Sequence, residues 1–344
     1  MDDDLETARL RISALQDGAV RAQALAFCLE RGLFDALAAV PRTPQAIEHD
    51  LGIPGRVLPT LLAFLASQGL LERGPEGRFA PTAAARAFLV RTSPRFIGGR
   101  GLLYQGYYDT IAHLPATLAS GRPVTPDGQR DMFAAFDAEA QRWFAAGMFA
   151  NAVHGGRALL EVVDFAACRA LLDVGGNAGG YTRAILDVHP HLRATIFDLP
   201  AVEQMAREQM ARAGLAARVA FVAGSFFEDE LPAGHDVALL SSVLHDWEDG
   251  ECAAILGRVH RALDPGGLVV VTEPMLADDL TGPDHPSVSG LAMALLGGRQ
   301  RTRPEVAALL EAAGFVDTWQ GPLGAQNSTV TARKPARAGA GPAG

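Results

Sequence analysis

Cysteine is scarce in this chain: three in 344 residues, Cys28, Cys168 and Cys252, far apart and none beside a histidine. That spacing argues against a disulfide framework and a thiolate zinc site, and it fits a reducing compartment. Basic charge is also short. Lys and Arg total 30 against 39 Asp and Glu, a formal net charge of −9, so no global pull toward nucleic acid or an anionic membrane is expected. Aromatics make up 7%, and no apolar run approaches the ~18–20 residues that a membrane helix needs. The start, Met1-Asp2-Asp3-Asp4, is too acidic for a secretory signal. A cytoplasmic protein is expected, without nucleic acid or membrane as partner. Apolar residues are plentiful at 49%, and the length suits about two domains.

The first third reads as helical. Leu10, Ile12, Leu15, Val20, Leu25, Leu29 and Leu33 recur at helical spacing, and Gly32 allows either one helix or two. Thr43 before Pro44 is an N-cap with proline at the first helical position. A further helix follows over Leu58–Leu65, and the turn cluster Gly74-Pro75-Glu76-Gly77 separates two short strand candidates. Helices followed by a hairpin are the pattern of a winged helix. Val57 to Leu71 carries no Lys or Arg, which predicts dimerisation and not DNA reading. From about residue 100 to 165 the pattern is helical and rich in aromatics, interrupted near Gly121–Gly128. Short apolar runs then alternate with helical patterns, the sign of an α/β sheet. Strands are expected at 170–174, 194–197, 219–223, 237–240, 268–272 and 328–333, and the tail after Pro335 is expected to be disordered.

The most informative stretch is Asp173-Val174-Gly175-Gly176-Asn177-Ala178-Gly179-Gly180, a strand end running through glycines into a helix. Such a loop lets a ligand approach the backbone closely. A dinucleotide fingerprint would need glycine at 177, and Asp173 would repel a pyrophosphate but attract a cationic amino group. The ligand implied is a nucleoside at one end and a zwitterion at the other, which S-adenosylmethionine satisfies. Asp198, in Phe197-Asp198-Leu199-Pro200, closes the next strand, where a carboxylate can accept two ribose hydroxyls. Phe226 is open between stacking on adenine and plain core, whereas Phe227 reads as core. Beyond the fourth strand comes Ser241-Ser242-Val243-Leu244-His245-Asp246-Trp247. His245 is placed to take a proton from a phenol or enol as general base.

Together, Asp173-Val174-Gly175-Gly176, Phe197-Asp198-Leu199-Pro200, Leu244-His245-Asp246-Trp247, Asp264-Pro265-Gly266-Gly267 and Gly297-Gly298-Arg299-Gln300-Arg301-Thr302 resemble the S-adenosylmethionine-dependent O-methyltransferases of the caffeic acid and hydroxyindole type, whose bacterial members tailor aromatic natural products. The resemblance implies a Rossmann-like class I methyltransferase domain (166–335) behind a winged-helix dimerisation domain (1–100). Linking helices (101–165) contribute to the substrate pocket, and the chain forms a homodimer. It further implies that His245 is the base and that Glu273 orients its imidazole. Gln300 stands where the second orienting acid falls, and Gln can hydrogen-bond a ring N–H without stabilising an imidazolium by charge. Cofactor contacts are implied at Asp173, Gly175, Asp198, Leu199, Ser225, Phe226 and Ser241. Ser225 stands for an Asp of the family, and Ser241 for a Lys or Arg. The acceptor, a small molecule, is implied to meet Phe144, Met148, Asn151 and Met293, although Phe144 and Met148 are also spaced as ordinary core. His154 reads as surface or core, His285 as part of a loop, and His189 and His191 carry no chemistry.

Transfer to carbon or nitrogen, as in relatives that methylate 2-oxo acids with a metal, and a relative that keeps the cofactor without transferring methyl are the alternative readings. No metal ligand set is assigned, since His245 and Asp246 supply two ligands and Met293 stands where a third would be sought. A ligand-sensing transcription factor is disfavoured by the acidic charge, and a dehydrogenase by Asp173 and Asn177.

Overall fold

The computed structural model describes residues 2–93, 95–99, 101, 108–123, 138–324 and 327–336, without the side chains of 2, 3, 138–147 and 150. The chain divides into two compact units, Met1–Tyr108 with Phe136–Ala150 and Asp109–Ala135 with Asn151–Gly344.

In the first unit the long apolar pattern resolves into three helices, α1 (Asp2–Gln16), α2 (Gly18–Glu30) and α3 (Leu33–Ala39). Gly32 separates the last two at φ 65°, a left-handed conformation that glycine adopts without strain. Thr43 caps α4 (Pro44–Leu51) by accepting the Ala46 N–H at 3.3 Å. After α5 (Leu58–Ser67), β1 (Leu71–Arg73) pairs antiparallel with β2 (Phe79–Pro81), and α6 (Ala83–Leu89) follows. Leu33, Phe34, Leu37, Ile47, Leu62 and Leu65 fill the core. Leu10, Ile12, Leu15 and Val20 do not join it; they are 56%, 58%, 81% and 74% exposed. Helical spacing alone cannot separate a face turned to the core from one turned outward.

In the second unit, α7 (Tyr108–Ile111) begins at the boundary residue and α8 (Leu114–Ser120) follows; α9 (Ala138–Leu159) belongs to the first unit as far as Ala150 and to the second from Asn151. The elements that follow are β3 (Ala170–Val174), α10 (Gly180–Val188), β4 (Arg193–Asp198), α11 (Glu203–Arg212), β5 (Val219–Ala223), β6 (His235–Ser241), α12 (Asp249–Ala262), β7 (Leu263–Glu273), α13 (Asp284–Ala294), α14 (Arg303–Ala312), β8 (Val316–Leu323) and β9 (Asn327–Arg333). The seven strands lie in the order β5-β4-β3-β6-β7-β9-β8, parallel except for β9, which runs antiparallel to both neighbours. The central strands β3, β6 over Val237–Leu240 and β7 over its second half are buried and mostly apolar, as a parallel sheet covered on both faces requires. Strand order reverses between β3 and β6, and a ligand crevice is expected beyond the carboxyl ends at such a switch point.

One sequence expectation needs correction, and one strand lies where none was expected. His285 is not in a loop but in the first turn of α13. The β8 strand went unread because Val316–Leu323 has little apolar alternation and carries a Gly-Pro step.

Candidate active site

The carboxyl end of β3 places Asp173 in the core at 1% exposure. Oδ2 accepts the Thr182 hydroxyl at 2.6 Å, while Oδ1 is buried with no partner. A buried carboxylate oxygen without a donor is costly and marks a place for a cation or a donor from a ligand. Glycine over it is obligatory: a Cβ on Gly176 would sit 2.6 Å from Asp173 Cγ, and one on Gly175 2.8 Å from Val243 Cγ2. Asn177 takes φ 49°, a left-handed conformation that Asn tolerates better than most side chains. Its Oδ1 accepts the Ala178 N–H at 2.7 Å.

Asp198, ending β4, accepts the Asn177 N–H on Oδ2 (2.8 Å) and the Leu199 N–H on Oδ1 (2.7 Å). A carboxylate has about four acceptor positions, so two remain for ribose hydroxyls. Leu199 is 47% exposed beside it. Ser225, after β5, is bound up in its own turn, its hydroxyl accepting the Phe227 N–H at 3.2 Å. Ser241, half-buried at the end of β6, lies beside the buried Tyr181 phenol. Phe226 is half-buried and packs edge-on against Phe227 and Trp247, centroids 4.9 and 5.8 Å away. It also borders Gly175. Phe227 packs against the core cluster, as expected.

His245 lies on a single 3-10 turn, Leu244–Asp246, and is 9% exposed. Its Nδ1 is 3.0 Å from Gln300 Nε2, which also donates to Ser289 Oγ at 3.0 Å. Its Nε2 lies 3.5 Å from Asp246 Oδ1. Burial pushes the Asp246 carboxyl up to about 6; nearby His245 opposes this and the Glu273 charge adds to it. Glu273 does not hold the imidazole as expected. Its Oε1 accepts the backbone N–H groups of Val243 (3.1 Å), Leu244 (2.6 Å) and His245 (3.3 Å), and Oε2 is buried without a partner. The turn's three free N–H groups claim the carboxylate before the ring can.

The sequence reading assigned no role to Arg301, which is fully buried under this turn. Its guanidinium donates to Leu244 O (2.8 Å), Trp247 O (2.8 Å) and Asp249 Oδ1 (2.7 and 3.0 Å). A Cβ on Gly298 would meet His245 O at 2.2 Å, so glycine is needed there too. The one available signal was an arginine immediately before a capping box, Thr302 with Glu305, which starts α14.

Of the residues expected at the acceptor, Met293 is buried in α13, and its carbonyl accepts the Gly298 N–H at 3.0 Å. Asn151 and His154 are exposed on α9. Met148 is half-buried in the first unit, and the Phe144 side chain lies outside the described residues.

The donor set fits S-adenosylmethionine: an orphaned carboxylate oxygen for the ammonium, a second carboxylate with room for ribose, and a glycine cradle between them. Burial pushes Asp173 up to about 6, against the Thr182 hydroxyl and helped by the Asp198 charge. An acid raised above its ordinary value of about 3.9 holds a proton that the unfolded chain has lost. Between that value and about 6 the unliganded fold therefore loses stability as pH rises. A cation on Oδ1 favours the ionised form, so binding expels the proton. Calorimetric titration with S-adenosylmethionine at pH 6 is expected to release on the order of half a proton. A heat independent of buffer ionisation would contradict it.

Residues 129–316 match the O-methyltransferase domain model, and residues 13–91 match the O-methyltransferase dimerisation domain. The chain is 35% identical over 309 residues to 3-hydroxy-5-methyl-1-naphthoate 3-O-methyltransferase of Streptomyces sahachiroi, covering 88% of each. It is 33% identical to the tetracenomycin polyketide synthesis 8-O-methyl transferase of Streptomyces glaucescens, covering 91% of this chain and 93% of that one. The solved structure of human N-acetylserotonin methyltransferase in complex with S-adenosylmethionine superposes with a TM-score of 0.87 at 27% identity, covering 95% of this chain and 98% of that one. No helix among the described residues is long and apolar enough to cross a membrane. The chain belongs to the O-methyltransferase family, with that family's dimerisation domain at its N-terminal end, and is an S-adenosylmethionine-dependent methyltransferase.

Proposed function

We propose that the chain methylates a hydroxyl of a small aromatic or polyketide-like compound, with His245 handling the acceptor proton. The orphaned Oδ1 of Asp173 carries this reading: Asp173 ends the strand next to the switch point, and Gly175 two residues on packs against Val243, two residues before His245. The relatives named for naphthoate and tetracenomycin methylation support the acceptor class.

Bound S-adenosylmethionine supplies an electrophilic methyl on a sulfonium. The chain's own part is to hold and orient. Asp173 neutralises the ammonium, Asp198 accepts the ribose hydroxyls, and the Gly175–Gly176 backbone lets the ligand close on β3. Phe226 lines the nucleoside side. Glu273 and Arg301 fix the turn that carries His245, and Nε2 faces the acceptor oxygen. His245→Ala is expected to lower turnover by ~10²–10⁴, with calorimetric cofactor affinity retained. Unchanged turnover would remove His245 from the reaction.

The same reading makes the protein a homodimer paired through the first unit. Leu5, Leu10, Ile12, Leu15 and Val20 are large apolar side chains on α1 and α2 left uncovered in the single chain, and exposed apolar surface of this extent is what an association surface covers. Leu15→Glu with Val20→Glu is expected to shift sedimentation from dimer toward monomer. A dimer of unchanged affinity would place the interface elsewhere.

A further inference from the structure

Among the described residues, the groups around His245 leave Nδ1 with a neutral partner, the side chain of Gln300. From β7, Glu273 spends Oε1 on three backbone N–H groups of the turn. Arg301 is bonded to Leu244 O, and from α12 Cys252 Sγ donates to the same carbonyl while Asp249 pairs with Arg301. From α13 the neutral Ser289 meets Gln300, and that helix's titratable residues, Asp284 and His285, lie in its first turn. Among the described residues, the carboxylate paired with the ring is Asp246, 3.5 Å from Nε2, the nitrogen that must face the acceptor.

This arrangement limits what the imidazole can do. With the amide NH2 of Gln300 against Nδ1, the ring proton is on Nε2, so that nitrogen has no lone pair to take the acceptor's proton and can only donate a hydrogen bond, most strongly to an oxygen that is already an anion. With the amide turned over, Oε1 accepts Nδ1–H and Nε2 offers a lone pair, but the imidazolium formed has no anion at its back. A neutral amide in place of a carboxylate behind a catalytic histidine can cost on the order of 10⁴ in rate. In both cases the acceptor must surrender its proton easily.

We propose that the acceptor is an acidic hydroxyl, a phenol or enol whose anion is delocalised onto a conjugated carbonyl, quinone or comparable electron-poor group, and that it ionises before methyl transfer. This rests on the methyl-transfer reading above. The acceptor's O–H bond breaks, its proton going to solvent or to Nε2. The electron pair left on oxygen forms the new bond to the sulfonium methyl as the methyl–sulfur bond breaks. An ordinary phenol, with a pKa of about 10, is only about one part in 10³ ionised at neutral pH. An acceptor titrating near neutrality recovers that factor and returns part of it as weaker nucleophilicity, for a net advantage of ~10².

The test uses the full chain with phenol, 4-cyanophenol and 4-nitrophenol, and with 2-naphthol and 6-cyano-2-naphthol. With S-adenosylhomocysteine bound, so that no turnover occurs, absorbance is expected to show bound 4-nitrophenol as its phenolate near neutral pH. With S-adenosylmethionine, kcat/KM is expected to rise ~10²-fold from phenol to 4-nitrophenol. Gln300→Glu is expected to shrink that ratio by ~10-fold, by favouring the less acidic members. Phenol and 2-naphthol methylated as fast as their electron-poor counterparts, or 4-nitrophenol bound in its neutral form, would overturn the proposal and leave methyl transfer intact. No transfer to any member, with cofactor binding retained, would overturn the methyl-transfer reading with it.

Discussion

Arg301→Met is expected to lower the thermal midpoint by roughly 4 °C and turnover by ~10²-fold, with a smaller effect on cofactor affinity. The guanidinium is wholly buried, and it is the common donor to Leu244 O, Trp247 O and Asp249. Removing it leaves two carbonyls of the His245 turn without that donor and Asp249 with only Arg299. Breaking a buried ion pair from one side costs about 3–5 kcal/mol. Asp249 is 56% exposed and rehydrates, so the lower end applies. Arg301→Lys keeps the charge but cannot span the same acceptors with one point donor, and it is expected to recover stability more than turnover. Thermal melts and steady-state kinetics of both variants check this. A Lys variant with full turnover would show that the turn needs only a positive charge beneath it.

Asp198→Ala is expected to weaken S-adenosylmethionine binding by ~10²–10³-fold, read by calorimetry. Hydrogen bonds to a charged acceptor contribute about 1.5–3 kcal/mol each, and two ribose hydroxyls have places on this carboxylate. Asp198 also ties Asn177 and Leu199 through their N–H groups, so the variant loosens the glycine loop as well. Asp198→Asn retains one acceptor oxygen and is expected to fall between the two. An affinity unchanged in Asp198→Ala would move the ribose away from β4.

Most strands were legible from the sequence as short apolar runs: residues 170–174 and 219–223 form strands with the expected bounds, and the other expected strands differ by extension at their ends. Thr43 before Pro44 read correctly because an N-cap is a local event, settled by one side chain and one N–H. The edge strand β8 and the helix α13 were not legible. Their sequences carry weak periodicity, and packing against β9 and against the His245 turn decides them. At the site, Asp173 and Asp198 stood out because a carboxylate closing a strand beside glycines has few other uses. Glu273 was identified but given the wrong partner, since spacing along the chain cannot show that three backbone N–H groups reach a carboxylate ahead of a ring. Gln300 was read as the ring's partner, and that contact is present. Arg301 was missed because an arginine normally reads as surface, and its burial depends on carbonyls more than fifty residues away in sequence.

The most direct measurement is a crystal structure of the protein with S-adenosylhomocysteine. It is expected to place the ammonium on Asp173 Oδ1, the ribose hydroxyls on Asp198 and the sulfur facing the side of the cleft that presents His245 Nε2. A ligand bound elsewhere, or an amino group turned away from Asp173 with Oδ1 still unpaired, would contradict the account.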